Sequence, residues 1–227
     1  MLLVQHWADW VTVGLGIAAA MALGNIPSPA VHFSYQDPAL SRPFLAKETI
    51  SKPAVIIYSS LVPVLLFTWL GVITCDLMAA HQAILGLALS NTLTYILVNV
   101  TKAFAGRLRP DWLARCALAA NKGKEYEDAV DCRILDDGRR SFISGHAGAS
   151  FSAAMYTSLF LSTTLRLFED VQVYKSFLVL IPLLAASVVS ISRITDNRHH
   201  WSDVAAGALS GSSFAIFTFL QFSNMNK

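Results

Sequence analysis

The sequence predicts an all-α integral membrane protein with six transmembrane helices, built as one domain over residues 1–227. Three observations carry that expectation. Hydrophobic residues make up 54% of the chain and charged residues only 14%, where a soluble domain carries about 25% charged. The apolar residues gather into six long runs. The net charge is only +2, and the cations cluster in the connections between runs rather than along one face, which argues against a nucleic-acid partner. Internal repeats and low-complexity segments are absent.

The runs lie near 9–26, 53–75, 81–101, 146–168, 174–194 and 202–222. The first ends in Ala20-Met21-Ala22, which resembles a signal-peptide cleavage site. No Lys or Arg precedes it and Asp9 interrupts its start, so a retained helix is expected. Gly14, Ala18 and Ala22 form a small-residue stripe suited to close packing. The second run would extend about 34 Å as a helix, enough for a hydrocarbon core of about 30 Å. Pro63 in that run and Pro182 in the fifth are expected to kink their helices, which membrane helices tolerate. In the sixth run, Gly207 and Gly211 form a G-x-x-x-G spacing that lets two backbones approach.

Parity then tests the arrangement. With six spans, the connections after the first, third and fifth share one face of the membrane. Lys102 to Pro110 ends the third run, Ser141 to His146 begins the fourth, and Ser192 to Asp203 joins the fifth and sixth. All three motifs therefore meet on one face. Fourteen of the seventeen Lys and Arg lie there, leaving Arg166, Lys175 and Lys227 opposite. By the positive-inside rule that face would be cytoplasmic. Cys116 and Cys132 lie in the loop between the first two motifs and suit either a disulfide on an oxidising face or two free thiols. Composition leaves the orientation open. Asn99-Val100-Thr101 is a glycosylation sequon too near the membrane to be modified.

The motifs offer chemistry. Lys102 and Arg109 are two helical turns apart and share a face if the helix continues to Pro110. Arg193 arrives from the fifth run. Three cations about 6 Å apart would repel by about 3 kcal/mol per pair at an effective dielectric of about 20. A phosphate relieves that repulsion, gripped bidentately by Arg and at a point by Lys. Ser144-Gly145-His146 opens the fourth run, and a helix N-terminus is itself an anion site. Gly145 permits close approach, Ser144 can donate, and His146 beside the anion is placed as a general acid. His199 and Asp203 are i and i+4, so the carboxylate can fix the imidazole tautomer and leave the other nitrogen nucleophilic. His200 points elsewhere and reads as interfacial or structural. His6, His32 and His81 lack partners in sequence and read as ordinary interface residues. No metal-ligand spacing is present.

Lys102-x(6)-Arg109-Pro110, Ser144-Gly145-His146 and Ser192-Arg193-x(5)-His199-x(3)-Asp203 together resemble the three-part signature of the type 2 phosphatidic acid phosphatase superfamily. The flanks GRLRPDWLARC, SFISGHAGASF and ISRITDNRHHWSDV are similar to its lipid phosphate phosphatase branch. Ile143 stands where many members have proline. The resemblance implies an active site at one membrane face, on the luminal or extracellular side. It implies that His199 attacks phosphorus, Asp203 orients it and His146 protonates the departing alcohol. Lys102, Arg109, Arg193, Ser144 and Gly145 would hold the phosphoryl oxygens, with no cofactor and no Mg²⁺.

The expected substrate is a lipid phosphate: phosphatidate, lysophosphatidate, sphingosine phosphate or diacylglycerol pyrophosphate. A lipid phosphotransferase using the same phosphohistidine, a catalytically silent lipid-binding relative and a heme-binding helix bundle are the alternatives. Monomer and homo-oligomer are both open.

Overall fold

The computed structural model describes residues 6–120, 136–170 and 172–223. Among them are two short 3₁₀ helices (Pro38–Leu40 and Asp136–Arg139), no strand, and seven α-helices: α1 (Trp7–Gly24), α2 (Lys52–Ile73), α3 (Leu77–Ala105), α4 (Trp112–Ala120), α5 (Gly145–Thr164), α6 (Val173–Thr195) and α7 (Trp201–Ser223). Six coincide with the apolar runs to within a few residues. The short α4 was not anticipated; it occupies the start of the loop between the first two motifs. Cys132 lies outside the described residues, and so does its expected bond to Cys116.

Five helices, α1, α2, α3, α6 and α7, are long and apolar enough to cross a membrane, with mean hydropathy from 1.3 to 2.2. The predicted fourth span is α5, which is more polar. Its position explains the difference. It packs against α3, α6 and α7 at the centre of the bundle, and buries small residues such as Ala147, Ser150, Ala153 and Thr157 on several sides. A helix surrounded by protein needs small, hydrogen-bonded residues rather than greasy ones. Ser152, for example, meets Ser90 at 2.7 Å and Asn91 Oδ1 at 2.9 Å. Large apolar residues instead face outward, among them Leu65, Trp69, Phe177, Leu184 and Phe217.

The G-x-x-x-G spacing of α7 lies against α5. A Cβ on Gly207 would stand 2.6 Å from the Ser144 carbonyl oxygen, and one on Gly211 would overlap the carbonyl of Gly148. These two positions therefore seat the start of α7 beside the start of α5, where Ser144 N donates to the Asp203 carbonyl at 3.0 Å.

The expected stripe on α1 does not pack. Gly14, Ala18 and Ala22 are exposed, and the face against α3 is Val13, Gly16 and Ala20. Thr92 on α3 fits against Gly16, and Asn99 Nδ2 donates to the Ala20 carbonyl at 2.9 Å. That bond buries the sequon asparagine. Near Pro63, α2 contains a π-helical stretch, Ile57–Leu61, which accommodates the backbone ahead of the proline. Pro182 lies inside the continuous α6. Two of the supposedly partnerless histidines have partners: His6 meets Asp9 at 2.9 Å, and Trp10 Nε1 donates to His81 Nε2 at 3.1 Å.

Residues 42–51, between α1 and α2, form a strap across the motif end of the bundle. Arg42 N donates to the Pro110 carbonyl, Asn197 to that of Pro43, and Arg198 to that of Leu45 at 2.7 Å. The Phe44 ring is covered by the guanidinium groups of Arg115 and Arg198, 4.9 and 4.8 Å from its centroid.

Candidate active site

The three motifs occupy one end of the bundle. Lys102 lies in the last turn of α3. The helix does not continue to Arg109 as expected. It ends at Ala105, and Gly106 caps it with a left-handed φ of 57°, which favours glycine. The chain then runs beside residues 138–141, with Arg109 N donating to the Gly138 carbonyl at 2.9 Å and Ser141 N to that of Arg107 at 3.0 Å. Arg109 is thereby buried, bonded to Asp137 at 3.0 Å, while its Nε has no hydrogen-bond partner among the described residues. Burial pulls the pKa of Arg109 down from its ordinary value. Burial also opposes ionisation of Asp137, but Arg109 and Arg115 outweigh it and hold that carboxyl below its usual range.

Ser144 caps α5, its Oγ accepting from Ala147 N at 3.4 Å. The hydroxyl hydrogen remains able to donate to a ligand. Gly145 opens the helix where a Cβ would lie 3.5 Å from Lys102 Nζ, so the ammonium sits against the helix N-terminus. His146 follows, its Nε2 3.4 Å from Arg193 Nη1. A guanidinium only donates, so this nitrogen accepts when the ring is neutral.

His199 lies in the turn before α7, which begins at Trp201. The expected contact along one helix face is therefore not what holds it. Its Nδ1 lies 2.7 Å from the Ser141 carbonyl, whereas Asp203 Oδ2 is 3.8 Å away, beyond hydrogen-bond range. A carbonyl only accepts, so Nδ1 carries the hydrogen and a neutral ring keeps its lone pair on Nε2. Fully buried Asp203 accepts instead from Ser141 Oγ at 2.6 Å, from His200 N at 2.9 Å and from Arg107. It holds the segment that pins His199. Burial pushes the His199 pKa down to about 3; Asp203 opposes that, and Arg109 and Lys102 reinforce it. His200 Nε2 contacts the Leu108 carbonyl at 3.1 Å, a structural role.

Arg193 is buried between two carboxylates, with Glu48 on Nη1 and Asp196 on Nη2, each at 2.8 Å. Lys102 and Arg193 both lie within electrostatic range of His146, and Lys102 and Arg109 within range of His199. The predicted residues Lys102, Arg109, Ser144, Gly145, His146, Arg193, His199 and Asp203 thus surround one place. Sequence reasoning missed Arg107, Ser141, Asp196 and Arg198, all inside or beside the motifs, and Glu48, which no motif includes. Among the described residues, no group of three or more His, Cys, Asp or Glu is arranged to hold a metal ion. A cavity of about 630 Å³ opens beside the motifs, lined by Val31, Phe33, Leu40, Arg107, Phe142 and His200 among others.

Comparison with known proteins matches residues 83–227 to the PAP2 superfamily. The chain is 34% identical to lipid phosphate phosphatase 1 of Arabidopsis thaliana, over 96% of this chain and 68% of the relative. It is 32% identical to the probable diacylglycerol pyrophosphate phosphatase 1 of Schizosaccharomyces pombe, over 83% and 71%. It is 29% identical to diacylglycerol pyrophosphate phosphatase 1 of Saccharomyces cerevisiae, over 82% and 69%. No solved structure matches significantly. The match takes in all three motifs and every helix from α4 onward, and the chain belongs to the PAP2 superfamily.

Proposed function

We propose that this protein is a metal-independent phosphatase of lipid phosphates that works through a phosphohistidine on His199. The carrying observation is the buried His199 ring, pinned through Nδ1 to the Ser141 carbonyl beside Lys102 and Arg109. A neutral imidazole with its Nε2 lone pair available is a nucleophile at neutral pH. The names of the relatives support lipid phosphates and diacylglycerol pyrophosphate as the substrate class. The cavity, walled by Val31, Phe33 and Leu40, offers room for the apolar part of such a substrate.

His199 Nε2 bonds to phosphorus as the bond to the alcohol oxygen breaks, and protonated His146 gives its proton to that oxygen. Water then attacks the phosphohistidine while His146 takes a proton from it, releasing phosphate and free His199. Lys102, Arg109 and Arg193, with Ser144 and the backbone at Gly145, hold the phosphoryl oxygens. In-line displacement at phosphorus needs positioning and charge stabilisation above all, so fixed cations can stand in for a metal. The orphan Nε of Arg109 is a donor suited to an oxygen of that group.

In this reading the six long helices form one membrane domain, α5 at its centre, with the site on the luminal or extracellular face. The test is phosphate release from a panel of lipid phosphates by the purified full chain in detergent with EDTA. Release of free phosphate is expected. Transfer of the phosphoryl group to a lipid hydroxyl would make the protein a phosphotransferase, and no turnover would overturn the reading.

A further inference from the structure

Glu48 lies outside all three motifs, yet its carboxylate reaches their centre. One oxygen is 2.8 Å from Arg193 Nη1 and 4.0 Å from His146 Nε2, and the other is 3.6 Å from Arg198 Nε. Its neighbours are fastened on both sides. Thr49 donates to Asp196 through N at 2.9 Å and Oγ1 at 2.6 Å, and the Leu45 carbonyl accepts from Arg198. Asp196 in turn bonds Arg193. The strap therefore holds Glu48 in place, with the guanidinium of Arg193 clamped between two carboxylates.

We propose that Glu48 is a positioning residue of this site, a fixed carboxylate beside Arg193 that lets His146 hold the proton it delivers to the leaving group. The inference rests on the phosphatase reading above. Among the described residues, the charged groups that act on His146 are Arg193 from α6, Lys102 from α3 and Glu48 from the strap. The two cations repel an imidazolium, and Glu48 acts against that repulsion. Without it, an acid would have to be protonated between two fixed positive charges. Glu48 also opposes the bound substrate, because it shares Arg193 with the phosphate and repels a dianion. Its removal should therefore weaken proton delivery without weakening ground-state binding.

The experiment compares Glu48→Gln and Glu48→Asp with wild type on a short-chain lipid phosphate and on an aryl phosphate, whose leaving group needs little protonation. General acid catalysis contributes about 10²–10⁴-fold, so for Glu48→Gln the lipid phosphate kcat should fall roughly 10- to 100-fold while KM stays level or falls. Aryl phosphate turnover should fall much less, and Glu48→Asp, which keeps the charge, should recover part of the lipid activity. Equal losses on both substrates, an unchanged lipid kcat, or a raised KM overturns the role. If Glu48→Gln does not fold, an unchanged lipid-to-aryl ratio in Glu48→Asp overturns it instead. Wild type silent on every phosphate ester would overturn the phosphatase reading, and this role with it.

Discussion

The backbone carbonyl of Ser141, rather than the carboxylate four residues on, sets the tautomer of His199. His199→Ala should abolish the phosphoenzyme, and turnover should fall to background; phosphoenzyme persisting in this variant would move the nucleophile elsewhere. His146→Ala keeps the nucleophile but removes the acid, so a lipid phosphate should lose about 10²–10⁴-fold and an aryl phosphate markedly less. Equal losses on both would sink the general-acid assignment. Asp203→Asn should be intermediate, since Asn still accepts but presents an amide donor to one of the donors that Asp203 now receives. His199 also predicts a pH dependence of stability. Its pKa is depressed from 6.5 to about 3 by burial, so the folded ring refuses a proton that the unfolded chain accepts. Stability should be full above about 6.5 and decline as pH falls toward about 3. Unfolding midpoints between pH 7.5 and 4.5 should drop more in wild type than in His199→Gln, which removes the titrating group.

At the scale of elements, the contact between α5 and α7 both builds the core and assembles the site. Gly207 and Gly211 let the α7 backbone touch that of α5, next to the Ser144 to Asp203 bond that joins their N-termini. A larger side chain at Gly211 would meet backbone of Gly148 and Ser152, which cannot swing aside. Gly211→Leu should therefore destabilise the protein by about 1–3 kcal/mol or more. It should also lower turnover, because parting the helices separates His199 from Ser141. Thermal unfolding in detergent beside phosphate release would check both; a normal midpoint would show that the interface is looser than described.

For the whole molecule, the proposed charge neutralisation comes from Lys102, Arg109 and Arg193. Hydrolysis should accordingly survive EDTA, and vanadate should inhibit as a mimic of the five-coordinate transition state. Activity lost to chelator and restored by Mg²⁺ would refute the metal-free mechanism. The side of the membrane can be read from cysteines. We expect Cys116 and Cys132 to form a disulfide on the luminal or extracellular face. Maleimide labelling of intact membranes before and after reduction would test it, and cytosolic labelling without reductant would contradict both bond and orientation.

The six long helices were readable because an apolar run and its polar ends are local properties of the chain, and α1 to α3 and α5 to α7 fall where those runs fall. The three motifs were readable because their spacings are short and helix or turn geometry makes neighbours of such residues. Parity alone then gathered them at one end. Which side of a helix packs was not readable for α1, since small residues recur on more than one stripe and only Thr92 and Asn99 on α3 select between them. The central place of α5 was hidden for a related reason: burial by protein and burial by lipid favour different residues, and a run only reveals the second. Glu48 left no trace in the sequence at all. Its bond to Arg193 joins residues 145 apart, and no periodicity or spacing relates them. The motif end was written in local pattern; the carboxylate inserted among its cations was decided by the path of the strap in three dimensions.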